Sequence, residues 1–197
     1  MNIRVSLAAT ALALALAGCG GQPAAAPEPP LAGAKIGGPF RLVDGDGRTR
    51  TERDFAGRWR VMYFGYTFCP DICPTDAQNI AAGLKRFEAE DPARAALVTP
   101  VFVTIDPARD TPAVLRTFTD AFHPRMVGLT GDEAAIASVA KAHAVYYRKG
   151  DAAPGGGYLM DHSRQAYLMD PQGKPVALIP QDQGPDAVAA ELARWVR

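Results

Sequence analysis

The stretch Arg60-Val61-Met62-Tyr63-Phe64-Gly65-Tyr66-Thr67-Phe68-Cys69-Pro70-Asp71-Ile72-Cys73-Pro74-Thr75 decides how this chain folds. Its first seven residues form a short, nearly continuous apolar run, the pattern of a central strand buried on both faces. Residues 75–90 then place Ala77, Ile80, Ala81, Leu84 and Phe87 on one helical stripe, with Gln78, Lys85, Arg86 and Glu88 opposite. Cys69 and Cys73 therefore fall on a strand-to-helix turn, and Pro74 is the expected first residue of the helix. Cys73 would lie just ahead of that helix N-terminus, where free amides and the helix dipole favour a thiolate.

Upstream, residues 39–43 and 48–51 flank Asp44-Gly45-Asp46-Gly47, which reads as a hairpin. Downstream, residues 97–105 form a second buried strand, interrupted in pattern only by Pro100. Val114, Leu115, Phe118 and Phe122 mark a helix with Thr111 as N-cap and Pro112 at its first position. A short strand at 127–129 and a helix at 132–143 follow. Residues 145–147, 166–169 and 176–179 read as strands, the last two joined by Pro171-Gln172-Gly173, and 185–196 as a closing helix. This order predicts an α/β chain, a thioredoxin-like three-layer fold with an N-terminal hairpin and an αβ insert.

Composition agrees and excludes other classes. The 197 residues are 48% apolar and 21% charged, as in an ordinary globular protein and unlike a disordered one. The 21 basic residues balance 21 acidic ones without basic clusters, which leaves no electrostatic footprint for nucleic acid. A coiled coil is excluded by 19 Gly and 17 Pro scattered along the chain. The length fits one domain.

Residues 1–19 read as an address. A short basic start is followed by an apolar run at 5–17, the length of a signal-peptide core and too short to span a membrane. Leu16-Ala17-Gly18-Cys19 resembles the bacterial lipobox, in which the cysteine carries lipid; the plain alternative is a secretory signal with an incidental cysteine. The expectation is an exported protein, held at a membrane through Cys19 and facing the periplasm or cell exterior. Residues 20–38, rich in Pro and Gly, read as a flexible tether, and 39–197 as the folded domain.

Assigning Cys19 to lipid leaves Cys69 and Cys73 to explain each other. Three intervening residues let them meet as a disulfide or as two thiolates on one metal. A static disulfide closing so short a loop would add little stability, so a functional pair is the better account. A metal site needs a third ligand. His143 falls on the apolar stripe of its helix and reads as a core residue, and His123, beside Pro124, as a solvated loop residue. His162 follows the Gly-rich stretch 150–157 and precedes the strand expected beside the central one, a position open to a ligand or a surface residue. Two cysteines and a histidine are a soft set that suits copper, Cu(I) above all, better than hard cations. Asp161 or Met160 could add a fourth donor, although each also fits solvent or core.

The residues 63–74 resemble the signature of the Sco/SenC family of copper chaperones. Thr104-Ile105-Asp106-Pro107-Ala108-Arg109-Asp110-Thr111, Val127-Gly128-Leu129-Thr130-Gly131 and Asp161-His162-Ser163 are similar to its later blocks, in order. The resemblance covers residues 37–197. It implies a thioredoxin-like fold that binds copper, as Cu(I) or Cu(II), through Cys69, Cys73 and His162. It also implies delivery of copper to the binuclear copper site of cytochrome c oxidase, or reduction of that site's cysteines. Its implied partners are the copper-site subunit of the oxidase and a thiol reductant or copper donor protein. Asp71 and Asp161 stand either as outer groups tuning the site or as solvated turn carboxylates. Asp106 and Arg109 either brace the site loop or simply end a strand.

Three alternatives compete with a metallochaperone. A dedicated extracytoplasmic thiol–disulfide oxidoreductase would use the redox-active pair Cys69 and Cys73 without His162, although three residues separate them where thioredoxin-type enzymes have two. A copper or redox sensor would carry the same residues. A peroxiredoxin-like peroxidase is disfavoured, because Tyr66 and Pro70 stand where that family has Pro and Thr.

Overall fold

The computed structural model describes residues 27–152 and 157–197. The leader 1–19, Cys19, the tether up to residue 26 and the centre of the Gly-rich stretch lie outside the described residues.

The apolar run becomes β3 (Trp59–Gly65), buried along its whole length. It pairs in parallel with the equally buried β4 (Val98–Thr104) and antiparallel with β8 (Ala166–Met169). β5 (Val127–Thr130), the hairpin β1 (Arg41–Asp44) with β2 (Thr49–Thr51), and β9 (Pro175–Ile179) complete one seven-stranded sheet. Its order is β2-β1-β5-β4-β3-β8-β9.

Side chains of β3 alternate between two layers. On one side, Val61 and Tyr63 meet Ala77 and Ile80 of α1 (Ile72–Glu90), which the single-turn α2 (Pro92–Ala95) follows. α5 (Pro185–Trp195) and α3 (Pro112–Asp120) share that layer: α5 packs along α1, and the Phe118 ring of α3 packs at a tilt against Phe102, the register partner of Tyr63. On the other side, Phe64 packs against His143, which caps α4 (Glu133–Ala142). The result is the thioredoxin-like α/β plan with helices on both faces of the sheet. Thr111 caps α3 through its hydroxyl and Pro112 opens it, as the sequence predicts. Among the described residues no helix is long and apolar enough to cross a membrane.

Several expectations are revised. α1 starts at Ile72, so Cys73 sits inside its first turn rather than ahead of it. Pro74 is accommodated there because first-turn amides have no helical acceptor. His123 is buried, not solvated: Nδ1 accepts from the Arg125 N–H at 3.1 Å and Nε2 stands 3.3 Å from Glu88 Oε1. Tertiary packing folds the segment after α3 inward, which local polarity does not reveal.

Ordered packing also begins before Pro39. Leu31 N–H donates to Val176 O at 3.0 Å, and Gly37 N–H to Ala142 O at 2.8 Å. Leu31 and Ile36 rest on the core as isolated apolar anchors that carry no periodicity. Finally, β6 (Tyr147–Ala152) and β7 (Tyr158–His162) pair as a separate hairpin flanking the Gly-rich stretch. Residues 145–147 mark only its beginning; its mostly exposed strands lack the apolar run that announces a buried strand. His143, by contrast, is buried between Phe64 and Tyr167, as its helical stripe predicts.

Candidate metal centre

The turn after β3 is anchored from below. Thr67 donates its N–H (3.0 Å) and hydroxyl (2.6 Å) to the Asp110 carboxylate, which also accepts from the Thr104 hydroxyl at 2.6 Å. Gly65 ends β3 where the Cys73 sulfur needs space: a Cβ there would lie 3.1 Å from Cys73 Sγ and 2.9 Å from the Tyr63 ring. That close approach explains a glycine at the end of a buried strand.

The turn gives its two cysteines unequal surroundings. Cys69 is half-buried, and Cys73 is fully buried. Burial alone would raise the Cys69 thiol, but the N–H groups of Cys73, Asp71 and Ile72 converge on its sulfur and hold its pKa below the usual value. The Cys73 N–H reaches Cys69 Sγ at 3.3 Å. Cys73 is pushed up, first by burial and then by Cys69. The helix start thus acidifies Cys69, not Cys73, reversing the sequence expectation, because the free amides point back across the turn. Both cysteines are free thiols, so this is the dithiol form.

His162 comes from a distant part of the chain, 89 residues after Cys73. It ends β7, and its Nε2 stands 3.3 Å from Cys73 Sγ. Nδ1 donates to Ser163 O at 2.9 Å, since only a protonated Nδ1 can bond to a carbonyl. Nε2 therefore carries the lone pair, and it faces the sulfur. Burial keeps the imidazole below its ordinary pKa and hence neutral. Tyr66 and Tyr63 present edges to the ring at centroid distances of 6.0 and 6.5 Å. Ser163 is locked to Tyr146 by three bonds: Ser163 N–H to Tyr146 O at 2.9 Å, Tyr146 N–H to Ser163 Oγ at 2.8 Å, and the Ser163 hydroxyl to Tyr146 O at 3.2 Å.

The structure thus brings Cys73 and His162 into contact and sets Cys69 beside Cys73. Among the described residues, no three His, Cys, Asp or Glu side chains are closed into a finished metal cage. The donor set fits a soft, low-coordinate ion: two thiols, one of them acidic, and a neutral imidazole with its free lone pair turned inward. The outer candidates fare differently. Asp161 is turned to solvent by the strand pleat and pairs with Arg148 at 2.8 Å. Asp71 is exposed, with its carbonyl accepting from the Thr75 hydroxyl at 2.8 Å. Met160 packs against the core.

Groups missed in the sequence surround the site instead. Asp76, fully buried one turn after Cys73, accepts from the Tyr63 hydroxyl at 3.0 Å and from Arg164 at 2.7 and 3.2 Å. A carboxylate on the apolar stripe of α1 was the available signal. Arg109 does brace the site. Its Nε bonds Asp106 at 2.5 Å, its Nη1 bonds Tyr158 O at 2.9 Å, and its guanidinium lies over the rings of Tyr158 and Phe68. The Tyr158 hydroxyl closes the loop by donating to Asp106 at 2.7 Å. Asp106 therefore does more than end a strand.

The sequence model of the SCO1/SenC family matches residues 28–197. Protein SenC of Rhodobacter capsulatus is 45% identical over 161 residues, 80% of this chain and 69% of that protein. The structure of Arabidopsis thaliana ScoI with copper bound superposes with a TM-score of 0.75 at 37% identity, covering 81% of this chain and 97% of that one. Bradyrhizobium japonicum ScoI with copper bound gives 0.72 at 38% identity, covering 81% and 99%. The chain spans about half the length of most of the curated relatives it matches. With the family match running from the first turn to the last helix, and with the cysteine turn and His162 within it, the chain belongs to the SCO1/SenC family.

Proposed function

We propose that this chain binds copper through Cys69, Cys73 and His162 and passes it on during assembly of the binuclear copper site of cytochrome c oxidase. The observation that carries this reading is the His162 Nε2 lone pair aimed at Cys73 Sγ across 3.3 Å, with its tautomer held by Ser163. An acidic thiol at Cys69 and a neutral imidazole give a set that loses few protons on taking up a soft ion. The copper-bound relatives from Arabidopsis and Bradyrhizobium support the choice of cargo. Three donors leave a coordination position through which a partner's ligand can enter and draw the ion away. The partners in this reading are the copper-site subunit of the oxidase and a copper donor or thiol reductant. Cys19, as a lipidated N-terminus, would hold the domain at the membrane outside the cytoplasm.

The test is copper stoichiometry and affinity of the reduced protein beside His162→Ala. One tightly held copper per chain, weakened by the substitution, is expected. Equal affinity in the variant would remove His162 from the ligand set.

A second activity is favoured by the unequal thiols. Cys69, acidic and half-buried, is the group to attack a partner disulfide, forming a mixed disulfide and releasing one partner thiolate. Cys73 then displaces the second, leaving a Cys69–Cys73 disulfide and a partner reduced by two electrons. This route does not use His162, so His162→Ala would retain it.

A further inference from the structure

A cavity of about 540 Å³ opens on the sheet face opposite the cysteine turn. Phe40, Met62, Met169 and Pro171 form apolar walls, and Arg60 and His143 line the same space. Arg60 lies on the central strand β3, five residues before Gly65, or about 17 Å along the strand. Its side chain points away from α1, so the cavity is separate from the thiol site.

Arg60 is an anomaly. Arginine is almost never buried without a partner, yet this one is only 4% exposed. Nε has no hydrogen-bond partner among the described residues. Nη2 reaches Asp170 O only at 3.4 Å. The two neighbouring carboxylates are committed elsewhere. Glu52, on the cavity wall, accepts from the Phe40 N–H at 3.1 Å and lies 3.7 Å from Arg53 Nε. Asp170 accepts the amides of Gln172 and Lys174 at 2.9 and 2.8 Å. The backbone also makes room for the guanidinium: a Cβ on Gly173, which sits at φ +82°, would lie 2.7 Å from Arg60 Nη2. Beside it, His143 donates Nδ1–H to Val139 O at 2.8 Å, which leaves its Nε2 as an acceptor.

A buried cation with unused donors at the wall of an apolar cavity is complementary to one kind of guest. We propose that this cavity binds a small organic anion, a monocarboxylate with a short apolar body, its carboxylate on Arg60 and its hydrocarbon against Phe40, Met62 and Met169. Charge complementarity selects the head group, and the apolar walls select the tail. The cavity lies within the size range of small-molecule sites.

Calorimetric titration of the full-length reduced protein with octanoate, beside uncharged octanamide, tests this. Saturable one-to-one binding of octanoate is expected, with octanamide weaker by about tenfold or more. Arg60→Met should weaken octanoate by a similar factor and erase the preference over octanamide. Ala56→Trp, at the exposed rim, should block both ligands while thermal melting stays unchanged. Absence of saturable octanoate binding to the wild type would overturn the proposal. So would equal affinity for the two ligands, or a folded Ala56→Trp protein that binds octanoate as the wild type does.

Discussion

Arg109 grips Tyr158 twice, its Nη1 bonding the Tyr158 carbonyl at 2.9 Å and its guanidinium lying 3.7 Å from the centroid of the Tyr158 ring. Tyr158 opens β7 and His162 ends it, so this grip holds the strand that carries the imidazole against the loop below the cysteines.

Removing the grip should loosen β7 without touching the sulfurs. Arg109→Ala deletes a charge-assisted pair and a cation–π contact, and should free the hairpin by about 2 kcal/mol. Amide exchange at residues 158–162 is expected to rise while exchange in β3 and β4 stays slow. Copper affinity should fall with the Cys69–Cys73 redox chemistry preserved. Unchanged exchange in β7 would show that Tyr146 and Ser163 hold the hairpin unaided.

Gly65 is expected to be intolerant. A methyl group there meets Cys73 Sγ at 3.1 Å and the Tyr63 ring at 2.9 Å, and neither can retreat through a packed core. Gly65→Ala should cost about 1–3 kcal/mol as overpacking and displace Cys73 toward solvent. Urea unfolding reads the first effect, and the rate of Cys73 alkylation in the native protein reads the second.

Asp76 and Arg164 should respond unequally. The Asp76 carboxylate is fully buried, whereas the Arg164 side chain is 44% exposed. Arg164→Met strands a buried carboxylate and should cost about 3 kcal/mol. Asp76→Asn leaves an arginine that can rehydrate and an amide that still meets Tyr63, so about 1 kcal/mol is expected. Denaturation midpoints of the two variants give the order, and the reverse order would refute the assignment of the buried member.

Acid sensitivity should begin with the imidazoles. Burial holds His123 and His143 below the ordinary imidazole pKa of about 6.5. Over that interval the unfolded chain binds more protons than the folded one. Stability is then fully present above about pH 6.5 and declines as pH falls toward the lowered folded values. Melting temperature followed downward from neutral pH should drop before the carboxylates titrate near pH 4. A flat profile down to that point would mean that these rings protonate freely in the fold.

The sequence alone was enough for the architecture of the core and for half of the site. The run at 60–66 and the stripe of Ala77, Ile80, Leu84 and Phe87 are local patterns, because strand and helix periodicities are set by neighbours a few residues apart. They sufficed to put Cys69 and Cys73 on one turn and to make His143 a core residue. The hairpin β6–β7 was not legible, since an exposed ribbon held by backbone bonds and a few side-chain clamps has no apolar signature.

Tertiary structure decided the rest. Cys73 and His162 lie 89 residues apart, and the pairing of β7 with β6, the Ser163–Tyr146 clasp and the Arg109–Tyr158 grip together bring Nε2 to the sulfur. The same holds for Asp76 with Arg164, 88 residues away, and for Arg109 with Tyr158, 49 residues away. The acidity of the two thiols was likewise settled in three dimensions. Proximity to a helix start is visible in a sequence, but which sulfur receives its free amides, and which is buried, depends on the direction the turn takes as it leaves β3.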